Sequence, residues 1–340
     1  MPRALCTPAI RRFSFAAMND LTLPVLRALS DVDFRSGEAL ARTFGVSRGT
    51  IHNALKDLDR LGVSVVRSRG LGYRLDNAPT WLDPERISAA AGDSAASFAV
   101  RLEACCDSTS TTLLRLARQG AASGTVVTAE LQTRGRGRRD RVWESGLGSA
   151  LTFSLLWRFD RGVGALSGLS LVVGVALSRA MRRLGAGDVM LKWPNDLVIQ
   201  GRKIGGTLIE VEGDALGPSA VVIGVGINVR LTPALRGRID QPAADLVEAG
   251  VDTADRNAIL GVILCELATA LPAFEFGGFV PFRTEWEAHH AQQNLRVTLI
   301  LPDGRREEGI ARGADSDGAL LLTQDGTTQR WLAGELSLRA

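Results

Sequence analysis

The sequence predicts an α+β chain of several domains: an N-terminal winged helix-turn-helix, a central α/β domain on a mixed sheet, and a small barrel-like β domain at the C-terminus. Three observations predict it. Two short amphipathic segments meet at Gly45-Val46 and are followed by two strand-like runs around Gly70. Between residues 98 and 290, strand-length apolar runs alternate with helix-length ones. From Asn294, short strands alternate with the turn signals Pro302-Asp303-Gly304, Ser316-Asp317-Gly318 and Gln324-Asp325-Gly326.

A length of 340 residues fits two or three domains, and 45% apolar with 23% charged residues fits a globular chain. The four cysteines, Cys6, Cys105, Cys106 and Cys265, show no metal spacing, which favours a reducing cytoplasm. No continuous apolar run reaches the roughly 18 residues of a membrane helix. Residues 1–17 lack a signal-peptide core. Their arginines would suit a transit peptide, but they are expected to be a disordered extension before a start at Met18. Net charge is +3, and residues 1–76 carry +5 of it, leaving −2 on the remainder. A basic N-terminal part on a near-neutral body places any nucleic-acid contact there.

In order along the chain, residues 19–30 suit a first helix. Ser36 is placed to cap a second, ending near Phe44-Gly45, and Ser47 to cap a third over residues 48–61. Ile51, Leu55, Leu58 and Leu61 form its buried face. Ser47, Arg48, Gly49, Thr50, His52, Asn53 and Lys56 then lie at its start or face outward, where a recognition helix reads base edges and phosphates. Residues 63–66 and 72–75 form the wing, with Arg67, Arg69 and Arg74 in reach of backbone phosphate. The same pattern fits a winged domain that binds protein instead of DNA. Residues 77–84 read as a linker, with Asp83 capping a helix opened by Pro84.

A strand over 98–103 leads to Asp107-Ser108-Thr109-Ser110-Thr111-Thr112 and a helix to Arg118; such a hydroxyl-rich turn is ordinarily a capping device. A strand over 125–131 runs into Gln132-Thr133-Arg134-Gly135-Arg136-Gly137-Arg138-Arg139-Asp140-Arg141. Five arginines, two glycines and no apolar side chain cannot bury themselves, so a mobile surface loop is expected. Its backbone N–H groups and guanidinium forks suit phosphate or carboxylate oxygens. A solvated basic face would look the same. Further strands are expected over 149–157, 188–192, 203–211 and 221–227, and helices over 166–184, 256–273 and 280–290. Gly205, Gly206, Gly224 and Gly226 leave room for a ligand. A dinucleotide fingerprint is excluded at Gly224-Val225-Gly226, because no third glycine or spaced acid follows.

The arginine loop, Lys192-Trp193-Pro194-Asn195-Asp196, Arg202-Lys203-Ile204-Gly205-Gly206-Thr207-Leu208-Ile209-Glu210 and Ile223-Gly224-Val225-Gly226-Ile227-Asn228, in this order, resemble the biotin protein ligases. With the flanking domains, the resemblance is to the bifunctional form, a ligase fused to a DNA-binding repressor, and it covers nearly the whole chain from about Met18. It implies a winged helix over 18–77, a biotin- and ATP-binding domain over 83–290 resembling class II aminoacyl-tRNA synthetases, and an SH3-like domain over 294–340.

The resemblance also implies the site. Ser108, Thr109, Ser110 and Gln132 match biotin contacts, with Gly135, Arg136, Gly137 and Arg138 from the loop and Lys203, Gly205 and Gly206 beyond it. Ser110 stands where the family usually has asparagine. ATP falls to Arg136, Arg139, Arg141, Lys192, Trp193, Asn195, Asp196 and Asn228, with Asp196 the candidate Mg²⁺ ligand beside substrate phosphate. Asp140 replaces a third family glycine and is expected to pair with Arg138 or Arg141. Ala243-Ala244 stands where some relatives place an aromatic over adenine.

The implied reaction joins biotin's carboxylate to the α-phosphate of ATP. A lysine of the biotin carboxyl carrier protein of acetyl-CoA carboxylase then displaces AMP. Neither step needs an enzyme nucleophile, and no Ser/His/Asp or Cys/His constellation is evident. Both need cancelled oxyanion charge, alignment and exclusion of water, which makes Arg138 and Lys203 the catalytic candidates. Operator DNA and a ligand-promoted homodimer are the other expected partners, with no membrane. A second reading is a repressor that only senses biotin or its adenylate. A lipoate ligase relative would not be expected to carry both the arginine loop and the winged domain.

Overall fold

Serine caps and a left-handed glycine set the first helices. In α1 (Thr22–Arg27), α2 (Gly37–Phe44) and α3 (Arg48–Ala54), the Ser36 and Ser47 hydroxyls each accept a backbone N–H three residues on, at 3.1 Å. Gly45 ends α2 at φ +64°. The computed structural model describes residues 19–56, 58–213, 217–251 and 255–338; the expected extension before Met18 lies outside them. These residues divide into two units. One holds those up to Leu58 with Ser64–Ala78, and the other holds Asp59–Val63 and the chain from Pro79 onward.

In the first unit α3 ends at Ala54, not at Leu61 as expected. The Leu55 carbonyl accepts from the Arg67 guanidinium at 2.6 Å, and Leu58–Leu61 is a separate 3-10 turn. The wing pairs β1 (Val65–Ser68) antiparallel to β2 (Gly72–Leu75), and Arg35 adds a third rung through reciprocal backbone bonds with Tyr73. Gly72 is required there, since a Cβ would sit 2.1 Å from the Arg35 carbonyl oxygen.

The second unit opens with α4 (Pro84–Ala91), capped by Asp83 as expected. β3 (Ala99–Cys106), α5 (Thr109–Arg118), β4 (Thr125–Gln132), β5 (Ala150–Phe159), α6 (Leu169–Arg183), β6 (Met190–Lys192), β7 (Asp196–Ile199), β8 (Arg202–Gly213) and β9 (Ser219–Asn228) follow. The seven strands form one mixed sheet, ordered β3-β4-β5-β9-β8-β7-β6, with only β3 and β4 parallel. After α7 (Pro233–Arg236) come α8 (Arg256–Gly277) and α9 (Arg283–Ala288).

Alternation along the strands decides the two faces. Leu151, Phe153 and Leu155 of β5 pack toward the main core with residues of α4, α6 and α8. Leu156, with Val127 and Val222, packs against Leu113 and Ala117 of α5 on the opposite face. α5 covers only part of that face, and the candidate site occupies the rest. Val163–Arg183 and α8 are long and apolar enough by composition to cross a membrane, with mean hydropathy 1.6 and 1.8, although Arg179 and Glu266 interrupt their apolar runs. Their apolarity matches the main core that both join.

β10 (Arg296–Ile300), β11 (Arg306–Ala314), β12 (Leu320–Gln324), β13 (Thr327–Trp331) and β14 (Glu335–Leu338) make an antiparallel sheet ordered β13-β12-β11-β10-β14. Its Val297, Leu299, Leu320 and Leu336 join the main core.

His290, after α9, is buried, stacks on Trp286 at 4.4 Å, and its Nδ1 meets Gln293 Oε1 at 3.2 Å. Burial pushes its imidazole from 6.5 down to about 4, against the opposing effects of Gln293 and Glu287. The fold therefore favours neutral His290. That stabilisation is complete above the unfolded value and is lost as pH falls from 6.5 to about 4. The swing is about 3 kcal/mol. Melting temperatures between pH 7.5 and 4.5 should fall less steeply for His290→Phe than for the parent chain; parallel curves would contradict this.

Candidate active site

Sheet register brings the site together. Ser154 of β5 lies opposite Gly224 of β9, which lies opposite Leu208 of β8; the next row is Thr152, Gly226, Gly206 and Asp196. Opposed residues share a face, so three glycines make a low floor between α5 and the sheet edge. What stands over each is specific. A Cβ on Gly224 would meet Ser110 Oγ at 2.6 Å, and one on Gly226 would meet the Trp143 indole at 2.5 Å. One on Gly206 would meet Asp196 and Lys203 atoms at 3.1 Å.

One end of the floor is lined by hydroxyls. Ser154 Oγ lies 2.8 Å from Thr109 Oγ1 and 3.0 Å from Ser110 Oγ, all three buried. Gln132 Oε1 accepts from Thr109 N–H at 2.7 Å, tying the end of β4 to the start of α5. Ser108 holds the cap position of α5 without a side-chain cap bond, so the capping explanation of this turn fails for Ser108.

The other end is charged. A register shift between Leu197 and Val198 lets Lys203 reach back over Gly206, where Nζ meets Asp196 Oδ1 at 2.6 Å and lies 5.9 Å from the centre of the Trp143 ring. Lys192 faces Asp196 across β6 and β7. Asn195 is fixed by exchanging bonds with Thr207 (2.6 and 3.0 Å), and its Oδ1 accepts from Arg138 at 3.1 Å. Burial and neighbouring Arg139 push the Arg138 guanidinium down from its ordinary value; Asp196 and Glu335 oppose that.

The arginine loop is a closed hairpin in this structure. Trp143 N–H bonds to the Gly135 carbonyl and Gly137 N–H to the Arg141 carbonyl, while Arg139 and Asp140 turn the tip at φ +54° and +57°. A Cβ on Gly135 would fall 2.4 Å from the Trp143 carbonyl oxygen. Three of its arginines find separate partners: Arg136 with Glu210 at 2.8 Å, Arg138 with Asn195, Arg141 with Glu335. The expected pairing of Asp140 with Arg138 or Arg141 is therefore corrected. Asp140 occupies a left-handed backbone position that glycine accepts most easily and aspartate better than most.

Two expected nucleotide residues point elsewhere. Trp193 is buried and donates its indole N–H to the Gly318 carbonyl at 3.1 Å. Asn228 spends its amide on the Ala244 and Lys203 carbonyls, at 3.0 and 3.3 Å, holding the segment 242–244 against β8. Trp143, Ser154, Glu210 and Glu335 were not among the expected site residues. Trp143, an aromatic just beyond the loop, and Glu210, the last residue of the Lys203 motif, carried a local signal; Ser154 and Glu335 did not.

In the first unit Arg48, Gly49, His52, Asn53 and Lys56 are exposed, as is Arg69 at the wing turn. Ser47 is used as a cap and also bonds Thr50 Oγ1 at 2.9 Å. Arg67 is held by Leu55, and Arg74 donates to the Asp31 carbonyl at 2.6 Å.

A glycine floor with hydroxyls at one end and cations at the other fits an enzyme that activates a carboxylate with a nucleotide. The Biotin/lipoate A/B protein ligase family model matches residues 102–228, an HTH domain matches 25–74, and the Biotin protein ligase C terminal domain matches 294–339. The bifunctional ligase/repressor BirA of Escherichia coli is 39% identical over 95% of this chain and 99% of its own. The biotin–[acetyl-CoA-carboxylase] ligase of Mycobacterium tuberculosis is 35% identical over 67% of this chain and 85% of its own. The Aquifex aeolicus biotin protein ligase, solved with biotin and ATP, superposes with TM-score 0.59 at 29% identity, covering 71% of this chain and 98% of that one. The chain belongs to the biotin protein ligase family, in its bifunctional form with an N-terminal helix-turn-helix domain.

Proposed function

We propose that the pocket binds biotin with its ureido ring at the hydroxyl end, near Thr109, Ser110 and Ser154, and its carboxylate at the cationic end. Only that orientation brings the carboxylate to the charges that offset its repulsion of ATP. Arg138 and Lys203 then cancel oxyanion charge as biotinoyl-AMP forms, and the hairpin closes the anhydride from water. The lysine of a biotin carboxyl carrier protein takes the biotin in the second step. The observation that carries this is Lys203 Nζ over Gly206, 2.6 Å from Asp196, at the far end of the glycine floor from the hydroxyls.

Asp196, beside Lys192 and Lys203, fits Mg²⁺ only as one carboxylate assisting phosphate oxygens, because no three His, Cys, Asp or Glu side chains gather among the described residues. Bound in that way, Mg²⁺ would neutralise phosphate charge. We assign the central sheet to the class II aminoacyl-tRNA-synthetase-like group and the C-terminal sheet to the SH3-like group, over 83–290 and 294–340. Supporting this are the mixed seven-stranded order and the five-stranded antiparallel order. The winged domain, 18–77, binds operator DNA through exposed Arg48, His52, Asn53, Lys56 and Arg69 in a cytoplasmic protein. Adenylate-bound chains dimerise; sedimentation velocity with and without biotin and ATP should show the shift, and an unchanged coefficient would refute it.

The test of function is incubation with ATP, Mg²⁺, labelled biotin and a carrier domain, read by mass spectrometry. One biotin on one carrier lysine is expected. Tight retention of biotinoyl-AMP without transfer would favour a sensing repressor instead.

A further inference from the structure

Glu335 lies on β14, outside every motif that identifies the site, yet it is where the arginine loop ends. Both of its oxygens are engaged by Arg141, Nη1 to Oε1 at 2.9 Å and Nη2 to Oε2 at 2.8 Å, a two-on-two guanidinium–carboxylate pairing. Arg139 Nη1 lies 3.7 Å from the same carboxylate, and its Nη2 donates to the Ile300 carbonyl on β10 at 3.4 Å. Two of the hairpin's three tip arginines thus terminate on the paired strands β10 and β14.

We propose that Glu335 is a positioning residue of the ligase reaction, anchoring the hairpin tip to the C-terminal sheet so that Arg138 faces the reacting anions. This rests on the reading of the pocket as a biotin-adenylating site. The tip needs an anchor, because consecutive Arg139 and Asp140 hold positive φ, a conformation rarely populated outside glycine. Arg138 immediately precedes that constraint. Its guanidinium is aimed inward at Asn195, while its neighbours 139 and 141 are drawn outward to Glu335. Glu335 also offsets the repulsion that Arg139 imposes on half-buried Arg138.

The pair is too exposed to matter to global stability: Arg141 is 51% exposed and Glu335 28%. Its effect should therefore appear in the reaction and not in the melt. The backbone pairing of Glu335 with Ile300 does not depend on the carboxylate and survives substitution. A second effect opposes this one: Glu335 stands close to Arg139, Arg141 and Lys192 and would itself contend with the triphosphate for them. The two effects have opposite signs.

The full-length chain, Glu335→Gln, Arg141→Glu and the exchanged pair Arg141→Glu/Glu335→Arg should be compared for KM of ATP in biotin-dependent pyrophosphate release, for escape of biotinoyl-AMP into solvent, and for melting temperature. Glu335→Gln is expected to raise KM for ATP roughly fivefold and to speed adenylate escape, with an unchanged melt. The exchanged pair should recover much of what Arg141→Glu alone loses. A KM for ATP in Glu335→Gln that is equal to or below the parent's would overturn the anchor. Absence of rescue would do the same, because Arg141 would then be a phosphate ligand in its own right. A parent chain that releases no pyrophosphate with biotin would refute the adenylating site itself, a separate failure.

Discussion

Replacing Lys203 by alanine is expected to slow biotinoyl-AMP formation by about 10²–10³-fold, the usual cost of losing one preorganised donor to a developing oxyanion. The chain has only three lysines, and Lys203 is the one that the β7–β8 register shift turns over the glycine floor. Its removal takes the ammonium from the place where two anions must approach, 2.6 Å from Asp196 and over Gly206. Lys203→Arg should recover little, because a planar fork cannot occupy the place of a compact ammonium above Gly206. Single-turnover pyrophosphate release separates chemistry from binding. An unchanged rate in Lys203→Ala would remove this residue from the reaction.

Local features of the fold were readable because each rests on neighbours in sequence. Ser36, Ser47 and Asp83 cap the helices they precede, and Gly45 ends α2 with the conformation glycine favours. Gln200 and Gly201, both at positive φ, make the hairpin between β7 and β8. What could not be read depends on long-range register. Nothing near Ser154 says that it will face Gly224, or that Trp143 will lie over Gly226. β14 was missed because it is a four-residue edge strand, paired only with β10, in a segment of mixed polarity. Glu335 was missed with it, 194 residues from the arginine it holds. Trp193 shows a different limit. It stands in one motif with Asn195, which accepts from Arg138, but its own side chain is claimed by the core and Gly318. The site motif and the packing demand fell on adjacent residues, and sequence order alone does not separate them.

The largest stability effect should come from a pair that contacts neither substrate. Glu130 of β4 and Arg256 at the start of α8 form an ion pair with side chains only 3% and 1% exposed. Together with Asn257 they fasten the segment leading out of the linker. Arg256 donates to the Thr80 carbonyl, Asn257 to the Trp81 carbonyl, Leu82 N–H to Glu130 and Asp83 N–H to Asn257, at 2.8–2.9 Å. A buried pair gains little net energy from its own attraction, but breaking one side leaves a charge that water cannot reach. Glu130→Ala should therefore cost about 3–5 kcal/mol, a large share of the 5–15 kcal/mol typical of a folded chain. The Arg256 Nε and Nη1 already lack hydrogen-bond partners, so no second acceptor stands ready to take over. Replacing both by methionine removes the stranded charge and should cost far less than Glu130→Ala, although the bonds to Thr80 and Leu82 are lost. Denaturant unfolding of Glu130→Met, Arg256→Met and the double would measure the coupling. If the double were no more stable than the sum of the singles, the charge would not be the reason the pair is needed.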